Sequence, residues 1–293
     1  MRVLLLCILL IASSCTPNVT APYTNERVYM GPKAEAFSEA DILSSIENVT
    51  PVKPDIGSLP KNKKRLEQVF QILKDRNKAV CAVMVDHTHL KDCNWLHLNG
   101  QDLPSVNAFP WGDQYIYVSD SLLMYLEDDD ELAFLLAHEM GHQLAEHVTE
   151  NLPKVTVSFN VVGDTTRFLL CGVCVLYKPS ASANYAEVVA EQNKLFGQMT
   201  DSFFDLDQER EADYIALYLM VNAGFDVETG LNFFYKMAAL NPVSGEKLKH
   251  KAQYFDTHAF SVRRIARMKA VLREINEKIR TGNVLLPNAT EVQ

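Results

Sequence analysis

Residues 131–148 constrain this chain more than any other stretch. Leu132, Leu136, Met140, Leu144 and Val148 recur at helical spacing along one apolar side. Four acids, Asp128, Asp129, Asp130 and Glu131, stand where the positive end of a helix dipole favours them, and they read as a solvated cap. Inside that helix lies His138-Glu139-Met140-Gly141-His142. Positions four apart on a helix are offset by about 40°, so both imidazoles leave one face at a spacing suited to a tetrahedral ion. Glu139 lies about 100° round and reaches the space beside that ion. Zinc lowers the pKa of a water toward neutrality, and a neighbouring carboxylate can take its proton as the water attacks a carbonyl. His138 and His142 are therefore candidate metal ligands, Glu139 a candidate general base, and one zinc per chain the expected cofactor.

A third ligand is still required. At metzincin spacing it would be residue 148, which is Val148, and the glycine that such enzymes need falls at Ala145. His147 is one position short. On a continuous helix it would face elsewhere, as a surface histidine or one that supports a ligand from behind. The better source is Glu209-Arg210-Glu211-Ala212-Asp213, where Glu209 and Asp213 share a helix face and Glu211 points nearly away. Spacing alone does not choose between Glu209 and Asp213.

The remaining pattern is mainly helical with a little sheet, an α+β chain. Leu66, Val69, Phe70 and Leu73 mark an amphipathic helix over 61–78. Residues 79–85 are nearly all apolar and read as a short buried strand, with further β-prone pieces at 106–109 and 115–118 around Pro110, Trp111 and Gly112. A second long helix is expected over 206–221, stopping near Gly224. Asp226 would then cap a helix through Leu240, and Asn241, Pro242 and Gly245 would break it. A last helix over 261–280 carries Val262, Ile265, Met268, Val271, Leu272 and Ile275.

The ends suggest a compartment. Arg2 precedes a nine-residue apolar run, 3–11, followed by Ala12-Ser13-Ser14-Cys15. This reads as a signal peptide over 1–15 with a lipobox-like cleavage site, Cys15 being the residue that would carry lipid. Residues 16–60, rich in Pro, Thr, Ser and Asn, read as a tether, 61–280 as the enzyme domain and 281–293 as a tail. Ordinary secretion is the alternative, and sequons at Asn18, Asn48 and Asn288 are compatible with it. Disulfides among Cys81, Cys93, Cys171 and Cys174 are then permitted, and the lone Cys171-x-x-Cys174 lacks the second pair of a zinc ribbon. A net charge of −9, with no basic cluster, excludes a nucleic-acid partner. Residues 168–177 form an apolar run too short to cross a bilayer, so the expected membrane attachment is the lipid alone.

These motifs in order resemble the zinc peptidases related to the CAAX prenyl protease and HtpX, in their soluble periplasmic lipoprotein branch of the LoiP and BepA type. Asn107-Ala108-Phe109 with Tyr115-Ile116-Tyr117-Val118 looks like the family's strand before the active helix, and 131–142 like that helix. Glu209 to Asp213 matches the family's ExEAD, and His258 with Arg264 six residues later matches its late histidine motif. The resemblance covers roughly 61–280. It implies a gluzincin-type domain, a small sheet packed on the HExxH helix and a second ligand-bearing helix. It also implies that Glu209 binds zinc, that Asp213 supports the site from behind, and that His258 lies near the metal. His258 is either a resting fourth ligand or a donor to the oxyanion with Arg264 adding charge. Two features depart from the family: Ala259 replaces a proline, and the stretch with Pro153, Pro179 and the CxxC is not rich in small residues. The implied activity is cleavage of unfolded or misassembled envelope proteins, with a zinc-stabilised client-binding module as the alternative.

Overall fold

The computed structural model describes residues 27–33, 38–49, 53–85, 93–100, 106–111, 115–151, 204–240, 258 and 261–289. Cys15, the Cys171 and Cys174 pair, the apolar run 168–177, the break at Asn241 and Pro242, and Ala259 lie outside these residues.

Helix α1, Glu39–Glu47, comes first, followed after a 3-10 turn by α2, Leu59–Arg76, and α3, Lys78–Val85. Strands β1, Leu96–Gly100, β2, Ala108–Trp111, and β3, Tyr115–Ser119, precede the short α4, Asp120–Leu123. Then follow α5, Asp129–Leu144, and α6, His147–Asn151. The described chain resumes through α7, Leu206–Ala223, α8, Val227–Gly230, α9, Asn232–Leu240, and α10, Val262–Thr281.

Helix α5 is the axis of the fold. Every residue from Glu131 to Leu144 is buried, so a helix whose sequence shows one apolar side is covered all round. Asp128 caps it, accepting the backbone N–H of Glu131 at 2.8 Å. Glu131 departs from the expected solvated cap, because it is buried and ion-paired with Lys236 of α9 at 2.5 Å. Helix α7 lies along α5 and is started by a capping box, in which Asp205 accepts from Gln208 N–H at 2.9 Å and Gln208 accepts from Asp205 N–H at 3.1 Å. The two helices meet at backbone distance. A Cβ on Gly141 would lie 2.7 Å from the carbonyl oxygen of Ala212 and 3.1 Å from its Cα.

The sheet has the order β1-β3-β2, with β3 parallel to β1 and antiparallel to β2. Ile116 and Val118 point inward and are fully buried, while Tyr115 between strand and solvent stays exposed, the alternation of a one-sided sheet. The sheet packs on α5 through β2 and β3.

Four further stretches depart from expectation. Residues 79–85 form helix α3 rather than a strand, because Asn77, Val80, Cys81 and Met84 are the buried positions and they recur at helical spacing. Strand β1 was not anticipated. The stretch read as a tether contains α1, whose Ile42 and Ile46 are buried beside α9 and α10, and it contains Tyr29, which is also buried. Residues 283–288, read as tail, fold back: Asn222 donates to Leu285 O at 2.7 Å and Asn288 N–H donates to the Tyr214 hydroxyl at 2.9 Å. Cys81 and Cys93 form a disulfide that ties α3 to the chain leading into β1. Among the described residues no helix is long and apolar enough to cross a membrane.

Candidate metal centre

Four side chains from three places in the sequence converge on one point. His138 and His142 come from successive turns of α5, Glu209 from the first turn of α7 and His258 from the residue bridged to Phe204 ahead of α7. One atom of each lies within 4.8 Å of the others, and all four residues are buried. The Nε2 atoms of His138 and His142 are 3.0 Å apart. Glu209 puts one oxygen 3.4 Å from His138 Nε2 and the other 3.4 Å from His142 Nε2. Nδ1 of His258 is 3.3 Å from His138 Nε2 and 3.0 Å from Glu209. Glu209 and Asp213, which spacing could not separate, divide here. Glu209 faces both Nε2 atoms, whereas Asp213 faces Nδ1 of His138 at 3.0 Å, the far side of the ring.

Arg264 locks the two carboxylates. It donates from Nε and a terminal nitrogen to Asp213, both at 2.8 Å, and its other terminal nitrogen lies 2.6 Å from Glu209. Burial opposes ionisation of both acids, but the Arg264 guanidinium outweighs it and holds Glu209 well below the usual carboxylate range and Asp213 below it too. The resulting negative charge attracts cations. Burial alone would lower the pKa of His138, yet hydrogen bonds to Asp213 and Glu209 push it up to about 9. His142 is instead driven well below its ordinary value by burial. A pocket that draws a proton onto a buried imidazole draws a divalent ion by the same field.

Glu139 is different. It is fully buried, neither oxygen has a hydrogen-bond partner, and burial raises its pKa against the opposing pull of His258 and His138. His258 Nε2 is 3.6 Å from it. An unsatisfied buried carboxylate beside nitrogen and oxygen donors fits a site built around a metal ion and a reactant, since structure alone gives no reason to keep it.

Two residues of this neighbourhood escaped sequence reasoning in different ways. His147 is fully buried and 2.9 Å from His142, so its surface reading fails. Phe204 stacks on the His142 ring with centroids 3.8 Å apart, and no motif marked it.

A helix-borne pair of histidines, a carboxylate on a neighbouring helix and a buried glutamate beside them make up a candidate metal centre of the HExxH kind. Residues 73–272 match the model of Peptidase family M48, and the chain belongs to that family. It is 29% identical over 218 residues to the mitochondrial metalloendopeptidase OMA1 of Saccharomyces cerevisiae, 73% of this chain and 56% of that protein. It is 30% identical over 171 residues to OMA1 of Arabidopsis thaliana, 58% of this chain and 30% of that protein. It is 27% identical over 134 residues to the beta-barrel assembly-enhancing protease of Yersinia pestis, 45% of this chain and 26% of that protein. The chain thus spans from about a quarter to just over half of these relatives.

Proposed function

We propose that the protein is a zinc-dependent endopeptidase in which His138, His142 and Glu209 hold the ion and Glu139 is the general base. The observation that carries this is the buried Glu139 carboxylate, without a hydrogen bond at either oxygen, beside the facing donor atoms of His138, His142 and Glu209. Zinc held there would supply Lewis-acid polarisation of the scissile carbonyl and would make a water acidic enough to attack at neutral pH. Glu139 would take the proton of the attacking water and pass it to the leaving amine. Asp213 fixes the His138 ring by accepting from Nδ1, leaving Nε2 for the metal. Arg264 keeps Glu209 ionised and oriented, which is a positioning role rather than an oxyanion role.

His258 is best read as a resting ligand. Its Nδ1 faces the cage while Nε2 lies 3.4 Å from the Ala108 carbonyl, the arrangement of an imidazole steadied behind a metal bond. Substrates would displace it.

The substrates are read as unfolded or misassembled proteins of an exported compartment, with the chain held to a membrane by lipid on Cys15. The Cys81–Cys93 disulfide supports an oxidising compartment. The client-binding alternative leaves Glu139 without a use. Incubating the purified protein with an unfolded protein, then adding a chelator and restoring zinc, tests the activity: cleavage should stop and return. Cleavage indifferent to the chelator would refute it. Cys15→Ala should move the protein from the membrane fraction to the soluble one, and an unchanged distribution would refute the anchor.

A further inference from the structure

Behind His142 the cage is backed by groups that the chemistry above does not use. Glu146, at a φ of 56°, separates α5 from α6 and His147 opens the new helix. Nδ1 of His147 lies 2.9 Å from Nδ1 of His142, and its Nε2 lies 3.1 Å from Glu211. The other oxygen of Glu211 accepts the backbone N–H of Tyr29 at 2.7 Å. Around that bond the N-terminal segment is fastened on both sides. Arg27 donates twice to Glu150 of α6, at 2.6 and 2.8 Å, and Arg210 donates to Gly31 O at 3.2 Å. Gly31 has a φ of 59° and sits against the Tyr214 ring, where a Cβ would come within 2.5 Å of Cδ2.

The protons in this chain can run only one way. With Nε2 of His142 turned to the cage, its Nδ1 carries the proton and donates to His147. His147 then accepts on Nδ1, so its own proton is on Nε2 and goes to Glu211. The Glu211 carboxylate accepts from His147 at one oxygen and from Tyr29 at the other, so every donor in the buried chain has an acceptor.

The geometry points to residues 27–31 as a docking strap that, through Glu211 and His147, holds the imidazole of His142 in its metal-binding orientation. Strap docking and metal retention then stabilise each other. His147 and Glu211 are positioning residues, and the strap is the means by which the chain upstream reaches the metal. This rests on His142 being a metal ligand. Linkage makes the effect reciprocal: the factor by which metal tightens the strap is the factor by which the strap tightens metal.

The test uses the full chain and zinc alone. Hydrogen exchange of the Tyr29 amide is compared in zinc-loaded and chelated protein, with the Asp226 amide, which donates to Asp130, as reference. Zinc should slow Tyr29 by about tenfold or more relative to the reference, in line with the weight of ligand-supporting hydrogen bonds. Equal slowing of both overturns the coupling.

Variants give a second reading. Glu211→Gln keeps the shape but offers one acceptor oxygen to two donors, the Nε2–H of His147 and the Tyr29 N–H, so one of the two must face an amide N–H and the chain from strap to His142 is broken; it should weaken zinc binding about 10- to 100-fold and shift the visible bands of the cobalt-loaded protein. His147→Phe should do the same. His147→Gln can still accept and donate, and should recover most of the affinity. Folded Glu211→Gln and His147→Phe proteins with unchanged zinc affinity and cobalt bands would overturn the proposal. If neither folds, exchange at Tyr29 in the unaltered chain decides. A wild-type chain that binds no zinc would instead refute the metal-site reading itself.

Discussion

Replacing Glu139 by glutamine separates what this residue does for chemistry from what it does to the fold. The glutamine is the same shape, the two histidines on either side of it are untouched, and it cannot accept a proton. General-base removal is worth roughly 10²–10⁴-fold in turnover. Stability should move in the opposite direction. Glu139 is fully buried with no hydrogen bond at either oxygen, and burial raises its pKa, so its charge is a net cost to the native state. A buried polar group left unsatisfied costs about 1–3 kcal/mol, and the amide retains part of that. A gain of about 1 kcal/mol is expected, or roughly 2–4 °C in melting temperature for a domain of this size. The comparison is made on metal-free protein by thermal unfolding, with zinc content and turnover of an unfolded substrate measured on the loaded forms. Glu139→Gln with a lowered melting temperature, or with its zinc lost, would refute the reasoning, because either result makes the carboxylate a structural partner.

Glu209→Ala should lose zinc and lower thermal stability together, whereas Asp213→Ala should keep the metal with reduced affinity; metal analysis of the two that reverses this order exchanges their roles. His258→Ala should raise turnover of a small unfolded substrate at unchanged zinc content, and a decrease of about 10²-fold would instead make it the oxyanion donor. In metal-free protein the raised pKa of His138, about 9 against 6.5, contributes stability that is complete below pH 6.5 and lost as pH rises through 9. Denaturant unfolding should register a loss on the order of 3 kcal/mol across that window, and a stability that rises there would contradict the sign. Glu209 and Asp213, with lowered pKa values, act at the other end: their contribution should disappear as pH falls below about 4, which acid titration of the same protein detects.

Much of the centre could be read before the structure because its parts obey local rules. Two imidazoles four apart need only one turn of helix to meet, and α5 carried its own start signal at Asp128 and its own apolar period. Helix α7 was legible through the same logic, from its first residue to Gly224. Residues whose role depends on a partner remote in sequence were not legible. His147 was referred to a helix assumed to continue, but α5 ends at Leu144 and the turn at Glu146 redirects the side chain inward; no glycine or proline announces that turn. Glu211 does point away from the metal, as its spacing required, and the element it meets there is the strap. Tyr29 binds through its backbone N–H, which no side-chain pattern records. Helix α3 was misread because Ala79, Ala82 and Val83 are apolar yet exposed or nearly so, which hides the helical spacing of Val80, Cys81 and Met84.

The contact between Gly141 and Ala212 has a further consequence. At this crossing the helices that carry the histidines and the glutamate lie so close that a side chain on Gly141 would meet backbone, which cannot swing aside, and would have to push the two helices apart. The separation of the donor atoms thus rests on the absence of one methyl group, and adding it would be felt in the cage although its nearest neighbours are backbone atoms of Ala212 rather than any of the four donors.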